Sequence, residues 1–486
     1  MFHRCSSLLQ VNGTAAIIII YHSAVIALNN FIIKIKEFVC FTENIYFLSL
    51  NYELFGKGRQ TVSNDWRQMW KDLGMDLEKH DEFLAPVPEV YGKLFMAQEN
   101  RPKGMGYFDF VVGDIHGIRV KELVDHKANG GKVVASFCVF VPDEIITAAG
   151  GVSIGLCAGA QFPVPTGEQV LPRNLCPLIK SSVGFKLDRI CPYFQVADFV
   201  VGETTCDGKK KAWEILDEFI PTHVMELPQR RAEADKALWM EEIRRFKEKM
   251  EKESGVAITA QKLAASIKIA NEKRAALQRL YNCRKADPAP ISGKDVLLIS
   301  ELAFFDDPKR FTQQVNALCD ELETRIVRGE GIAEKGAPRI LITGSPMPIP
   351  SWKLHAIIEG SGAVVVCEET CTGTRYFETT VREDGATLDE QLAAISERAL
   401  NINCACYTPN NGRIEDILRL VKEYNADGVV YYNLAFCQPY SIEYRKVEKA
   451  LQEAGIPVIK IESDFSEEDT GQLQTRIEAF LEMLDK

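Results

Sequence analysis

The chain has 486 residues, 46% of them apolar and 26% charged, with a formal net charge of -11. That length and balance describe a globular protein of roughly two to four domains with ample material for large cores. The acidic excess excludes a nucleic-acid surface as the main function, because such a surface needs a basic stripe against phosphates.

Residues 1–63 read as an atypical extension. Residues 15–28 form a mostly apolar run that includes Ile17, Ile18, Ile19 and Ile20, at 14 residues too short for the ~20 that span a bilayer. Arg4 before it imitates a secretion signal, but no small-residue cleavage site follows. The expectation is an upstream extension with the natural start near Met69, no membrane span and a cytoplasmic protein. Helical patterning begins with Trp66, Met69, Trp70, Leu73 and Leu77 at i, i+3, i+4, i+7 and i+11.

From residue 64 to 228 strands and helices alternate. Residues 108–113 read as a strand, 131–142 as a buried strand, and Pro142-Asp143 opens a helix that Gly150-Gly151 stops. Residues 152–156 are a short strand and Cys176-Pro177 begins a helix. Further strands fall at 197–204 and 221–227, with a helix from Asp207 between them. Residues 229–337 are a helical segment: two or three long charged helices broken near Ser254-Gly255, a turn-rich stretch from Asp287, and a helix over 297–328. A second strand–helix series occupies 338–486, with strands at 339–344, 363–368, 427–434 and 456–462 and helices at 351–359, 441–454 and 470–484. The fold class is therefore α/β, two doubly wound Rossmann-like lobes with mainly parallel sheets, joined by a helical segment. Ligands of such sheets bind outside the carboxyl ends of the strands.

Fourteen cysteines are spread along the chain with no Cys-x-x-Cys pair, which argues against zinc ribbons and bacterial-type ferredoxin runs. Cys138, Cys191, Cys283, Cys319 and Cys367 read as small buried hydrophobes. Cys176, Cys206 and Cys437 fall between a strand and a helix or directly before a helix, at the sheet edges, where helix amino ends favour thiolate. Lys209, Lys210 and Lys211 add positive charge near Cys206. On residue type and position alone, Cys157, Cys371 and the Cys404/Cys406 pair stay open as rivals. His116 and His223 read as structural.

Several strings carry a resemblance: CPLIKSSVGF (176–185), ADFVVGETTCDGKKK (197–211), FCQPY (436–440), NRPKGMGYFDFVV (100–112) and GQLQTRIEAFLE (471–482). Together they resemble the 2-hydroxyacyl-CoA dehydratase and benzoyl-CoA reductase family, and look most similar to its double-cubane cluster branch. The resemblance covers about residues 66–486 and leaves the extension outside. It implies Cys176, Cys206 and Cys437 as ligands of [4Fe–4S] units. It also implies three cysteines from each of two chains in a homodimer, a sulfide-bridged double cubane, and an ATP-hydrolysing iron–sulfur activator that delivers low-potential electrons. Glu203, Lys180 and Ser181, beside those ligands, are the candidates for tuning the cluster or handling protons. The activity implied is ATP-coupled reduction of a small molecule. The alternatives are a component of a 2-hydroxyacyl-CoA dehydratase, which removes water from an acyl-CoA through a radical, and a non-catalytic electron-transfer protein. No phosphate loop, dinucleotide fingerprint or nucleophile elbow occurs; Ser292-Gly293-Lys294 is only a fragment of the first. ATP chemistry would therefore belong to a partner.

Overall fold

A computed structural model of the chain describes residues 64–484. The expected extension, its apolar run and the start near its end lie outside the described residues, apart from Met69 itself. Among the described residues no helix is long and apolar enough to cross a membrane.

Two four-stranded sheets, every pair parallel, organise the chain. The first runs β2-β1-β3-β4, with β1 at Val133–Ser136, β2 at Val152–Gly155, β3 at Phe199–Glu203 and β4 at Thr222–Met225. The second runs β6-β5-β7-β8, with β5 at Arg339–Gly344, β6 at Val364–Glu369, β7 at Gly428–Leu434 and β8 at Val458–Ser463. The two orders are the same. In each, the chain steps from the first strand to one neighbour and returns to the other side, so the switch points lie between β1 and β3 and between β5 and β7. Every residue of β3, β5, β6 and β7 is buried, as strands covered on both faces must be. Each fully buried Val, Ile or Leu among them contributes about 1.5–3 kcal/mol. Gly202 in β3 has no substitute: a Cβ there would stand 2.4 Å from the Trp213 ring.

The helices that position the site are α1 (Pro177–Asp188), α2 (Asp207–Leu216), α3 (Glu233–Ser254), α4 (Ala260–Cys283), α5 (Gly293–Leu302), α6 (Lys353–Gly360) and α7 (Gln438–Glu453). The break expected near Ser254-Gly255 is a left-handed Gly255 (φ 70°) that ends α3, and Thr259 caps α4 by accepting the Lys262 N–H. Arg274 on α4 pairs with Glu144 at 2.6 Å, ahead of β2, and Arg284 just past its end pairs with Glu368 of β6 at 2.6 Å. One helix thus grips both lobes.

Three expected elements differ, and the buried strand expected over 131–142 is one of them, because β1 stops at Ser136. Residues 108–113 are not a strand but part of the helix Met105–Gly113. Its buried residues, Met105, Phe108 and Val112, recur at i, i+3 and i+7, a helical face hidden inside a short apolar run that fits either element. The helix expected over 297–328 is two, α5 and Pro308–Arg328, because Asp307 caps the second by accepting the Lys309 and Arg310 N–H groups and Pro308 cannot continue the first. The Ser292-Gly293-Lys294 fragment caps α5, with a carboxylate over it: Glu359 accepts the Gly293 N–H at 2.6 Å and the Lys294 N–H at 3.3 Å.

Candidate functional site

The carboxyl ends of both sheets wall one cavity of about 560 Å³. Seven cysteines line it, and they fall into two groups. Cys176, Cys206 and Cys437 form the first. Each immediately precedes a helix, α1, α2 and α7. The Cys206 sulfur accepts the Lys209 N–H at 3.5 Å, Cys176 faces the N–H groups of Leu178 and Ile179, and Cys437 faces that of Tyr440. Phe436 makes this possible by taking a left-handed backbone (φ 61°), uncommon for a bulky residue, which turns the chain sharply between β7 and α7. Cys176 and Cys437 share a hydrogen bond that lowers the Cys176 thiol and raises Cys437. Cys206 lies within electrostatic range of both, its thiol pushed up by burial and drawn back by Lys209.

The second group is Cys138, Cys371, Cys404 and Cys406. Cys138 stands two residues past β1 and Cys371 two residues past β6. Cys404 and Cys406 come from the loop after the helix Leu388–Leu400. A hydrogen bond from Cys138 lowers the Cys371 thiol and raises its own. In the same way Cys406 lowers Cys404, which Arg375 helps to bring to about 5. Arg375 Nη1 is 3.6 Å from the Cys371 sulfur, and the Tyr440 hydroxyl is 3.7 Å from that of Cys404.

Lys209 stands between the groups. Its ammonium is buried, forms an ion pair with Glu203 and lies 4.8 Å over the Phe137 ring. It acts electrostatically on Cys206 of the first group and on Cys138, Cys371 and Cys406 of the second. Of the three lysines expected to charge this site, only Lys209 turns inward. Lys210 pairs with Asp207 and Lys211 with Glu214, both at the surface.

Among the described residues no three His, Cys, Asp or Glu converge closely enough to hold one metal ion. A tetrahedral ion with metal–sulfur bonds near 2.3 Å needs its sulfurs within about 4 Å of one another. An iron–sulfur cubane places each thiolate on a separate iron, so it needs wider spacing and a donor set of cysteines. Seven thiols spread over one cavity, with no three of them gathered round a single point, fit the second kind of group and not the first.

The remaining sequence candidates lie behind the wall. Lys180 Nζ donates to Glu168 Oε1 and to the Arg173 carbonyl, both at 2.8 Å, and Ser181 Oγ donates to the Ala160 carbonyl at 2.8 Å. Both fasten α1, which carries Cys176, to the preceding loop. Glu203 is fully buried and reaches the cavity through two lining residues, Lys209, which pairs with it, and Thr205, whose Oγ1 donates to its Oε1 at 3.0 Å. The Cys157 sulfur lies 2.6 Å from that of Cys191 and is not part of the lining. His116 is hydrogen-bonded to His80 at 2.9 Å, and burial lowers it well below the ordinary range, so it is neutral. His223 stacks on Phe246. Cys138, assigned to the core from sequence, is the residue that reasoning from motifs missed. The available signal was positional: Cys138 and Cys371 follow β1 and β6 at the same distance.

Residues 138–484 match the family model of the 2-hydroxyglutaryl-CoA dehydratase D-component. The chain belongs to this family. The match begins at Cys138, just past β1, and takes in the other seven strands and all seven lining cysteines. Curated relatives agree. A protein of Escherichia coli K12, provisionally named dehydratase subunit YjiM, is 40% identical over 369 residues, 74% of this chain and 94% of that protein. The (R)-phenyllactyl-CoA dehydratase beta subunit of Clostridium sporogenes is 26% identical over 75% of this chain and 95% of its own length. A benzoyl-CoA reductase component of Thauera aromatica is 24% identical over 71% of this chain and 87% of its own. The D-component family is one of enzyme components, dehydratases and benzoyl-CoA reductases, and this chain is such a component.

Proposed function

We propose that the chain is the iron–sulfur component of an ATP-coupled, low-potential reductase. In this reading it holds a double-cubane type cluster between its own two cysteine groups. The single observation that carries it is the convergence of seven cysteines on one cavity, three at helix amino ends and four on the loops after β1, β6 and the helix Leu388–Leu400. Cys176, Cys206 and Cys437 hold one [4Fe–4S] unit, and Cys138, Cys371, Cys404 and Cys406 supply three ligands to the other. The cluster, when bound, supplies low-potential electrons to a small molecule in the cavity. The protein's own residues set its surroundings. Lys209, held by Glu203, and Arg375 offset the negative charge of the thiolates. Lys180 and Ser181 hold α1 in place so that Cys176 is presented at a fixed point. The partners of this reading are a second copy of the chain and an ATP-hydrolysing iron–sulfur activator.

The second reading is a 2-hydroxyacyl-CoA dehydratase component, favoured by relatives whose names specify such dehydratases. Against it stands the lining, in which Lys209 is the one cationic side chain among the described residues and is already paired, so nothing there meets the phosphates of a coenzyme A. Anaerobic loading of the full chain, with iron and acid-labile sulfide counted per chain and electron paramagnetic resonance of the reduced protein, tests the proposal. Expected is about eight iron per chain, two cubanes. A folded chain that takes up no iron sinks both readings. A loaded chain that dehydrates a 2-hydroxyacyl-CoA and reduces no small molecule establishes the second, and one that does neither is an electron carrier.

A further inference from the structure

The apolar side of the cavity carries one acid. Glu301, on α5, lines the wall beside Phe304, Phe305, Pro348 and Ile349, and only 1% of it is exposed. Its Oε2 accepts the Trp352 indole N–H at 2.9 Å, and Oε1 has no hydrogen-bond partner among the described residues. Trp352 is itself fixed, edge-on against Phe95 at 5.0 Å between ring centres. Among the described residues no cation faces the carboxyl. Burial pushes it well above the ordinary carboxylate range, and the indole opposes this only in part. The other ionisable lining groups apart from the thiols do not offer a proton in this way. Asp207 is an exposed surface residue paired with Lys210, Lys209 is locked to Glu203, and burial makes the Tyr440 hydroxyl a weaker acid than usual. A neutral buried carboxylic acid on an otherwise apolar cavity wall is an arrangement for giving up a proton to something bound there.

We propose that Glu301 is the proton-donating residue for the molecule reduced in this cavity. The inference rests on the proposed reductase function, in which electrons come from the ATP-hydrolysing partner. Each electron that arrives leaves a negative charge on the bound molecule. The Glu301 O–H bond breaks, an H–C or H–heteroatom bond forms on that molecule, and the carboxylate is left. Unpaired and poorly solvated, the carboxylate is a strong base, and it regains its proton from water entering at the mouth. Trp352 acts as a positioning residue by holding Oε2 and leaving Oε1 free.

The test compares wild type with Glu301→Gln, which keeps the size and the indole acceptor but has no acidic proton. Infrared spectra of the full-length, cluster-free protein at neutral pH are expected to show a protonated-carboxyl stretch that shifts in heavy water and is missing from the variant. A spectrum without that band, or a band that does not respond to heavy water, overturns the proposal. After loading with iron and sulfide, both proteins are given the activator, ATP, dithionite and propargyl alcohol, a small neutral alkyne whose conversion to allyl alcohol takes two electrons and two protons. Expected are equal iron contents, an unchanged KM and a kcat lower by about 10² or more in the variant. Equal kcat values overturn the role of Glu301. A loaded wild type that reduces no probe overturns the reductase reading, and this role with it, whereas a defect confined to the variant leaves that reading standing.

Discussion

Replacing Glu368 by Gln isolates the charge of one buried carboxylate on which the joint between the lobes depends. Glu368 lies in β6, three residues before Cys371, and is wholly buried. It accepts from Arg284 Nη1 at 2.6 Å and Nη2 at 2.9 Å, from the Tyr281 hydroxyl at 2.6 Å, and pairs with His355 Nε2 at 2.9 Å. These partners come from α4, the residue just after it, and α6. Burial alone would push the carboxyl up, but Arg284 and His355 outweigh it and hold it at about 2 against an ordinary 4.5. At about 1.4 kcal/mol for each tenfold change in proton affinity, that difference contributes roughly 3 kcal/mol at neutral pH. Because the folded value lies below the unfolded one, the contribution is complete above about pH 4.5 and fades as pH falls toward 2. Gln preserves the shape but leaves the Arg284 guanidinium buried without a counter-charge, so the loss at pH 7 is about 3–5 kcal/mol. Urea unfolding of the cluster-free protein, under reducing conditions at pH 7, 5, 4 and 3, measures it. The gap between wild type and variant should narrow below pH 4, and adding Arg284→Met to the variant should recover most of the loss. A loss below about 1 kcal/mol at pH 7, or a gap independent of pH, would refute the reasoning.

Cys206→Ser and Cys371→Ser, which strike different groups, should each lower bound iron to about half or less, the share of one cubane. Cys157→Ala should leave iron unchanged, because its sulfur faces Cys191 and not the cavity. Lys209→Met should lower the reduction potential of the loaded protein, since it removes the cation between the groups. A unit charge at ~8 Å in an effective dielectric of about 20 amounts to about 2 kcal/mol per electron, less whatever Glu203 already cancels. A potentiometric titration that finds no shift at full iron content would remove Lys209 from that role.

Much of the second sheet was legible in the sequence because its strands are continuous apolar runs between turn residues. Residues 339–344 are a strand as expected, β6 is shifted by one residue at each end, and β7 begins one residue later than expected. The Met105–Gly113 helix was not legible: its apolar run is too short for periodicity to separate helix from strand. The site was legible only in part, for a related reason. Cys176, Cys206 and Cys437 stand beside a proline or a run of lysines that marks a helix start. Cys138 stands in the run SFCVFVP, which reads as an ordinary strand until β1 is seen to stop at Ser136. Glu301 was equally invisible, since nothing in the local sequence of α5 shows that a tryptophan some fifty positions later holds its carboxyl against the cavity.

The number of cysteines in one cavity bears on whether the proposed site needs a second copy of the chain at all. Three thiolates leave one iron of a cubane without a protein ligand. Counted from Cys176, Cys206 and Cys437 alone, the vacancy asks for three more cysteines from another chain. Here a second set lies in the same chain, just past strands β1 and β6 and on one loop, with Lys209 near both sets. On the proposed reading, a second copy of the chain is then not required to complete the ligand set. The two arrangements separate on mixing. If each site draws one group from each of two chains, refolding Cys206→Ser together with Cys371→Ser places an intact first group opposite an intact second group in every mixed dimer. Iron in the mixture then exceeds the average of the two variants. If each site is complete within one chain, every chain in the mixture still carries its own defect, and iron stays at that average. The single-chain arrangement expects no gain at any ratio of the two variants, and a reproducible gain that peaks at equal amounts would return the site to the dimer interface.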